Sequence, residues 1–436
     1  MIDRYSLSPM KELWTLESQY EHWLKVELAA LSAMEETDEV PTGTYDVVRD
    51  QVHVDVDRIS TIEAEIRHDL LAFIRSIEEQ VGDVGRFVHR GLTSSDVKDT
   101  ALSLQMRSGL DLILDEAAGL RAELLRKARE YQNLVIVGRT HGMHAEPTTL
   151  GLKFLLWMSE LDRNTDRLRL AREAISVGKL SGPVGTYTQV SPKVEEIACD
   201  KLGLRPARVA NQVLQRDRHA EVLAAIAITG ATLEKIALEI RHLSRTEVGE
   251  LEEPVPEGSS SMPHKRNPIT SERICGLTRI LRANLQAALE NVALWHERDM
   301  SHSSVERVII PDSFTLLHYM LVKMSAIISG LVVHEDAIAR NLELTHGAIY
   351  SQAILIALVE QGMARNEAHE AIKAASMGAF EQRRPLIDLL REDTKVASLL
   401  AAAKVDEGEV LNRVCATSRR LIEREATSSG ATSSAS

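Results

Sequence analysis

The chain has 436 residues, 44% hydrophobic, 26% charged and 4% aromatic; that length favours two or three domains with a large core, and so few aromatics favour packed helices over a β-sandwich. A formal net charge of -13 opposes general binding to nucleic acid, whose phosphates an acidic surface repels. No apolar run reaches the ~20 residues of a membrane span, and Met1 to Pro9 lack a basic-then-apolar leader, so a cytoplasmic protein with no membrane association is expected.

Along the chain, Leu13, Leu16, Tyr20, Trp23, Leu24, Leu28 and Leu31 recur at steps of three and four between Lys11 and Glu36, which lines one helix face. Gly85–Asp96 then reads as a loop, 112–132 as a helix, Gly138–Thr149 as a second loop and 150–176 as a second long helix. After a loop at Ser181–Pro192, the set Leu223, Ile226, Ala227, Gly230, Leu233, Ile236, Ala237, Ile240 and Leu243 keeps the helical step over about seven turns. A loop at Glu253–Pro268 precedes helices over 274–294 and 312–333. Five long helices imply a central bundle and an all-α fold, and convincing alternating strands are missing. The small-polar tract Ala426 to Ser436 predicts a disordered tail. Cys199, Cys275 and Cys415 have neither disulfide nor zinc spacing and read as reduced structural thiols. No phosphate-binding GxxxxGK[ST] loop or dinucleotide GxGxxG fingerprint occurs.

The most unusual stretch is Gly258-Ser-Ser-Ser-Met-Pro-His-Lys-Arg-Asn-Pro268, a flexible Gly/Ser run joined to a rigid basic cluster. Such a loop can close over a ligand and present Lys265, Arg266 and Asn267 to an anion; the plainer reading is a solvated linker. The sequence GSSSMPHKRNP resembles the signature loop of the fumarase/aspartase superfamily, in the form carried by adenylosuccinate lyases and by cycloisomerases of carboxymuconate. Arg4-Tyr5-Ser6, His89 to Asp96, Gly138 to Pro147, Gln212 to His219 and Trp295 to Ser304 resemble blocks of the adenylosuccinate lyase family. Arg90 departs from that pattern, where an aromatic is expected, and so does Ser261, where Ala or Thr is usual.

The resemblance implies β-elimination of fumarate from adenylosuccinate to give AMP, and from the succinylaminoimidazole-carboxamide ribotide to give its carboxamide, with no cofactor and no metal. It makes Ser259 the general base, with Ser260 next in line, and His141 the general acid, oriented by Glu272. Lys265 and Asn267 would stabilise the aci-carboxylate. Arg4, Tyr5, Arg67, His68, Asp69, His89, Thr93, Ser94, Gln212, Ser260, Arg273, Arg298, Ser303 and Arg307 match binding positions, with Ser303 and Arg307 on the phosphate. His141, His144 and Glu146 also raise a metal site, but their spacing fits no standard zinc helix. The family further implies three helical domains over 1–111, 112–364 and 365–425, and a homotetramer whose sites are shared between subunits. A cycloisomerase and a catalytically silent structural tetramer are the alternatives.

Overall fold

The computed structural model describes residues 1–255, 257–258, 261–403 and 406–431. Its principal helices are α1 (Leu16–Glu36), α2 (Val56–Ile66), α3 (Asp69–Val81), α4 (Ser94–Glu130), α5 (Leu150–Ile175), α6 (Asp217–Leu243), α7 (Ile269–Glu290), α8 (Ser301–Gly330), α9 (Ser351–Glu360), α10 (Arg365–Gln382) and α11 (Glu407–Ala431). Among the described residues strands form only four short pairings, so the fold is all-α as expected. Among the described residues no single helix is long and apolar enough to cross a membrane. Two compact units emerge, one of residues 1–118, 163–234 and 274–323, the second of 119–162, 235–273 and 324–436.

In the first unit, α1 starts at Leu16 rather than Lys11. Thr15 takes an extended backbone and its hydroxyl accepts from Ser18 N–H at 3.2 Å, which caps α1 and leaves Met10–Leu13 as a separate short helix. The core packs Tyr20 and Trp23 of α1 on Phe73 of α3, with ring centroids 5.2 to 6.0 Å apart; truncating Trp23 to Ala there would cost roughly 3–5 kcal/mol. α4 begins well before residue 112. Asp96, Asp99, Thr100 and Ser103 are buried in its first turns and break the apolar repeat from which a helix is read. Thr93 and Asp96 cap it, Asp96 Oδ2 accepting the Thr93 N–H at 2.8 Å. α8 likewise runs through Pro311, where the sequence predicts a start after the proline. Phe314, Leu316, Leu317 and Met320 are fully buried on the next turns, and that burial outweighs the ~3 kcal/mol that an internal proline costs.

In the second unit, the loop expected at Gly138–Thr149 is part of a hairpin. Strand β1 (Val135–Thr140) pairs antiparallel with β2 (Met143–Thr149), Val135 opposite Thr149 and Thr140 opposite Met143. Its residues show no alternation because β2 is mostly polar or half-exposed, so periodicity alone does not reveal it. The hairpin packs on α11 through a 2.8 Å hydrogen bond between the Thr149 and Ser418 hydroxyls, both buried. Ile354 and Leu358 of α9, Ile372 and Ala379 of α10, and Leu386, Leu390, Val396 and Leu400 make a separate small core. α11 carries helix through Ala431, past the expected start of the tail at Ala426. The amphipathic run before it propagates, and the Thr427 hydroxyl donates to the Glu423 and Arg424 carbonyls. Residues 432–436 lie outside the described residues.

Candidate active site

A cavity of about 370 Å³ opens in the first unit between α1, α2, the start of α3, α4 and α8. α4 contributes Ser95, Lys98, Asp99, Leu102 and Gln105, and α8 contributes His302, Ser303, Glu306 and Arg307; steps of three and four put each set on one helix face. Of the residues expected from sequence, Asp69, Arg298, Ser303 and Arg307 line it together.

Asp69 opens α3, where the helix N-terminus favours a carboxylate. Its Oδ1 accepts from Lys98 Nζ at 2.5 Å and its Oδ2 from Arg307 at 2.7 Å. Burial would raise its pKa, but Lys98 and then Arg307 outweigh that and hold the carboxyl below its ordinary range. Part of the cavity wall is a buried ionic network. Arg216 donates to both oxygens of Asp99, at 2.5 and 3.1 Å, and to both of Glu306, at 2.9 and 3.1 Å. His302 Nδ1 lies 3.0 Å from Glu306 Oε2. Burial alone would raise Glu306, yet the His302 hydrogen bond and Arg216 bring it down to about 2. His219 is fully buried nearby and neither ring nitrogen has a partner among the described residues. Burial, reinforced by Arg216, pushes it down to about 4, so it is neutral at pH 7.

The other positions of this unit expected to bind substrate lie outside the cavity lining. Arg67 is left-handed at the end of α2 (φ 57°), and the His68 side chain caps α3 by accepting from Leu71 N–H at 3.3 Å. His89, also left-handed (φ 61°), places Nδ1 2.7 Å from Glu27 Oε1. Burial works against the imidazolium, but the Glu27 charge and hydrogen bond more than offset it and raise the pKa. Thr93 and Ser94 are half-buried where α4 begins. Asp96 also takes Lys179 Nζ, a pair with no exposed surface, so the segment holding Thr93 and Ser94 is fastened from inside. Tyr5 packs edge-on against Tyr319 at 5.3 Å; Arg4 is exposed and Gln212 half-buried. Arg90, the departure from pattern, points to Glu39 at 3.5 Å.

The residues expected to carry the chemistry, His141, Lys265, Asn267 and Glu272, belong to the second unit. His141 and Gly142 form the two-residue turn between β1 and β2, with φ of 54° and 77°, the double positive φ of a type I′ hairpin. His141 is therefore exposed at a tip, and among the described residues no hydrogen bond joins it to Glu272. Arg139, on the same hairpin, forms a forked pair with buried Glu250 at 2.5 and 3.0 Å, and Glu250 also accepts from Asn341 at 2.8 Å. His144 Nδ1 is buried without a partner among the described residues, and burial followed by Arg139 lowers its pKa. Ser259 and Ser260 lie outside the described residues. Gly258 pairs with Arg266 and Glu257 with Asn267. Lys265 is exposed and its N–H closes a turn on Met262 at 3.0 Å. Arg266 is engaged by Glu252 at 2.7 Å rather than left open for an anion. Glu272 and Arg273 sit in the first turns of α7, Glu272 N–H bonding the Pro268 carbonyl at 3.0 Å.

Sequence reasoning missed Lys98, Asp99, Arg216, His302 and Glu306. Lys98, Asp99 and Glu306 are helix charges with no motif around them, and Arg216 and His302, though inside the blocks Gln212 to His219 and Trp295 to Ser304, carry no local mark of the network they join.

The described lyase family matches residues 6–281, and the family described as adenylosuccinate lyase C-terminus matches 347–424. The chain is 46% identical to an adenylosuccinate lyase of a Synechocystis species over 93% of its own length and 95% of the relative's. It is 45% identical to that of Thermotoga maritima and 44% identical to that of Bacillus subtilis, with the same coverage. Among solved structures, a fumarate lyase of a Mesorhizobium species superposes with a TM-score of 0.87 at 25% identity, covering 97% of this chain and 99% of that one. The 3-carboxy-cis,cis-muconate lactonizing enzyme of Pseudomonas putida superposes at 0.85 and 26%, covering 96% of both chains.

Proposed function

The chain belongs to the adenylosuccinate lyase family, and from that premise we propose that it splits adenylosuccinate into AMP and fumarate, and the succinylaminoimidazole-carboxamide ribotide into its carboxamide and fumarate. Both substrates carry a succinylamino group and a ribosyl phosphate, so one site serves both steps of purine nucleotide synthesis. The observation that carries this reading is the near-doubling of identity, over nearly the whole chain, to adenylosuccinate lyases relative to the lactonizing enzyme of the same fold. A cavity lined by Arg298, Ser303, Arg307 and Lys98 supports it chemically, because those donors suit a phosphate.

In the reaction, Ser259 removes the proton α to a carboxylate on the carbon next to the one bearing nitrogen. Lys265 and Asn267 meet the aci-carboxylate that forms. The C–N bond then breaks, its electron pair leaves with nitrogen, His141 protonates that nitrogen and the new double bond is fumarate. A serine hydroxyl acts as base only where neighbouring cations and exclusion of water favour the alkoxide, so the signature loop closes over bound substrate.

His141, exposed at its hairpin tip, requires a cover to serve as a shielded acid, and other copies of the chain supply it in a cytoplasmic homotetramer. Exposed Leu170, Ile228, Ile280, Leu289 and Val308 on the long helices of the first unit support such an assembly, since bundle helices bury broad apolar faces. The division into domains over 1–111, 112–364 and 365–425 belongs to the same reading; a separate family match over residues 347–424 supports only a distinct C-terminal part.

Proton NMR of purified protein given adenylosuccinate, the ribotide or 3-carboxymuconate in separate tubes tests the substrate class. Fumarate should appear in the first two and the third should persist. Consumption of the carboxymuconate alone would make the chain a cycloisomerase.

A further inference from the structure

The cavity of the first unit holds a cation that no motif singled out. Lys98 stands between the turns of α4 that carry Ser95 and Leu102, its Nζ 2.5 Å from Asp69 Oδ1 and 5.3 Å from the centroid of the Trp23 ring. Asp69 is shared, because Arg307 takes its second oxygen at 2.7 Å. Arg298 lines the same cavity, and its Nε is buried with no partner among the described residues. Arg216, by contrast, is already matched by Asp99 and Glu306. Burial disfavours the Lys98 ammonium, Asp69 opposes that, and Arg307 and Arg298 stand near enough to disfavour it further. Two cations thus share one carboxylate with a third standing near Lys98, an arrangement that an incoming anion relieves. An ammonium has three protons to donate. Asp69 orients Lys98 with one of them and leaves donors for a ligand.

We propose that Lys98 is a substrate-binding residue, completing with Arg298 and Arg307 a three-cation subsite for a phosphate dianion. A phosphate offers three terminal oxygens, one for each cation, where a carboxylate offers two. Asp69 positions Lys98 and Arg307 for it, and the Trp23 ring supports the Lys98 stem. The inference rests on the lyase reading for which molecule carries the phosphate.

Isothermal titration calorimetry of AMP, adenosine and inorganic phosphate, with wild-type protein and Lys98→Met, tests the subsite directly. The Met side chain keeps the packing on Trp23 and removes only the charge. Affinity for AMP and phosphate should fall about tenfold or more, adenosine should be unaffected, and Lys98→Arg should recover most of the AMP affinity. In turnover, KM for adenylosuccinate should rise with kcat within about twofold. Unchanged AMP affinity, an equal loss for adenosine, a fall in kcat at constant KM, or no phosphate binding by wild type would each overturn the proposal. Lys98→Gln gives the same readout if the Met variant does not fold. Failure of wild type to turn over adenylosuccinate would instead overturn the lyase reading, with the comparison of AMP and adenosine still deciding the role of Lys98.

Discussion

Arg216 sits between two buried carboxylates, and its removal leaves Asp99 and Glu306 unpaired away from water. Arg216→Met should therefore cost roughly 3–5 kcal/mol in urea unfolding; a loss under 1 kcal/mol would show that the network is solvated. The same cluster sets an acid sensitivity. His219 has a folded pKa of about 4 against an ordinary 6.5, so the unfolded chain binds the extra proton first. Its contribution is intact above pH 6.5 and is lost as pH falls from there to about 4, on the order of 3 kcal/mol. Asp99 and Glu306, both held low, act in the same direction at lower pH. Melting temperatures measured across that window should fall steeply for wild type and less steeply for His219→Leu, and parallel slopes would contradict the assignment. Arg298 and Ser303 were legible because they sit in the block from Trp295 to Ser304, and Asp69 and Arg307 because they match binding positions of the family. Lys98 was not, because a charged residue on a periodic helix carries no local mark of the cavity it faces, and Arg216, though inside the Gln212 to His219 block, carries no local sign of the two carboxylates it pairs with.

Helix starts show the same limit one level up. Apolar spacing located α5, α6 and α7 to within a few residues but missed the first turns of α4, where buried Asp96, Asp99 and Thr100 pair with distant groups such as Lys179 and Arg216. The β1–β2 hairpin was hidden for a related reason, as its ladder and not its side chains holds it. His141 and Gly142 supply the two positive φ angles of its turn, and a residue with a side chain at Gly142 is strained whatever the space around it. Gly142→Ala should lower stability by about 1 kcal/mol and reduce kcat about tenfold or more by shifting His141, with KM little changed. Steady-state kinetics read this, and an unaltered kcat would remove His141 from the proton transfer.

The chain as a whole places His141, the proposed acid, on an exposed hairpin and Arg298 and Arg307, the proposed phosphate donors, in a cavity of the other compact unit. The proposed homotetramer with shared sites would make two kinds of defect complementary. His141→Ala and Arg307→Ala proteins, each nearly inactive under limiting substrate, should regain activity when mixed and allowed to exchange subunits, because some sites then draw both intact residues from different copies. No recovery after verified exchange would mean that each site uses a single copy. The reaction itself is reached most directly by following the ultraviolet absorbance of purified, metal-free protein mixed with adenylosuccinate. Stoichiometric conversion to AMP and fumarate without any added cofactor is the expected result, and a folded tetramer that leaves adenylosuccinate intact would contradict the account.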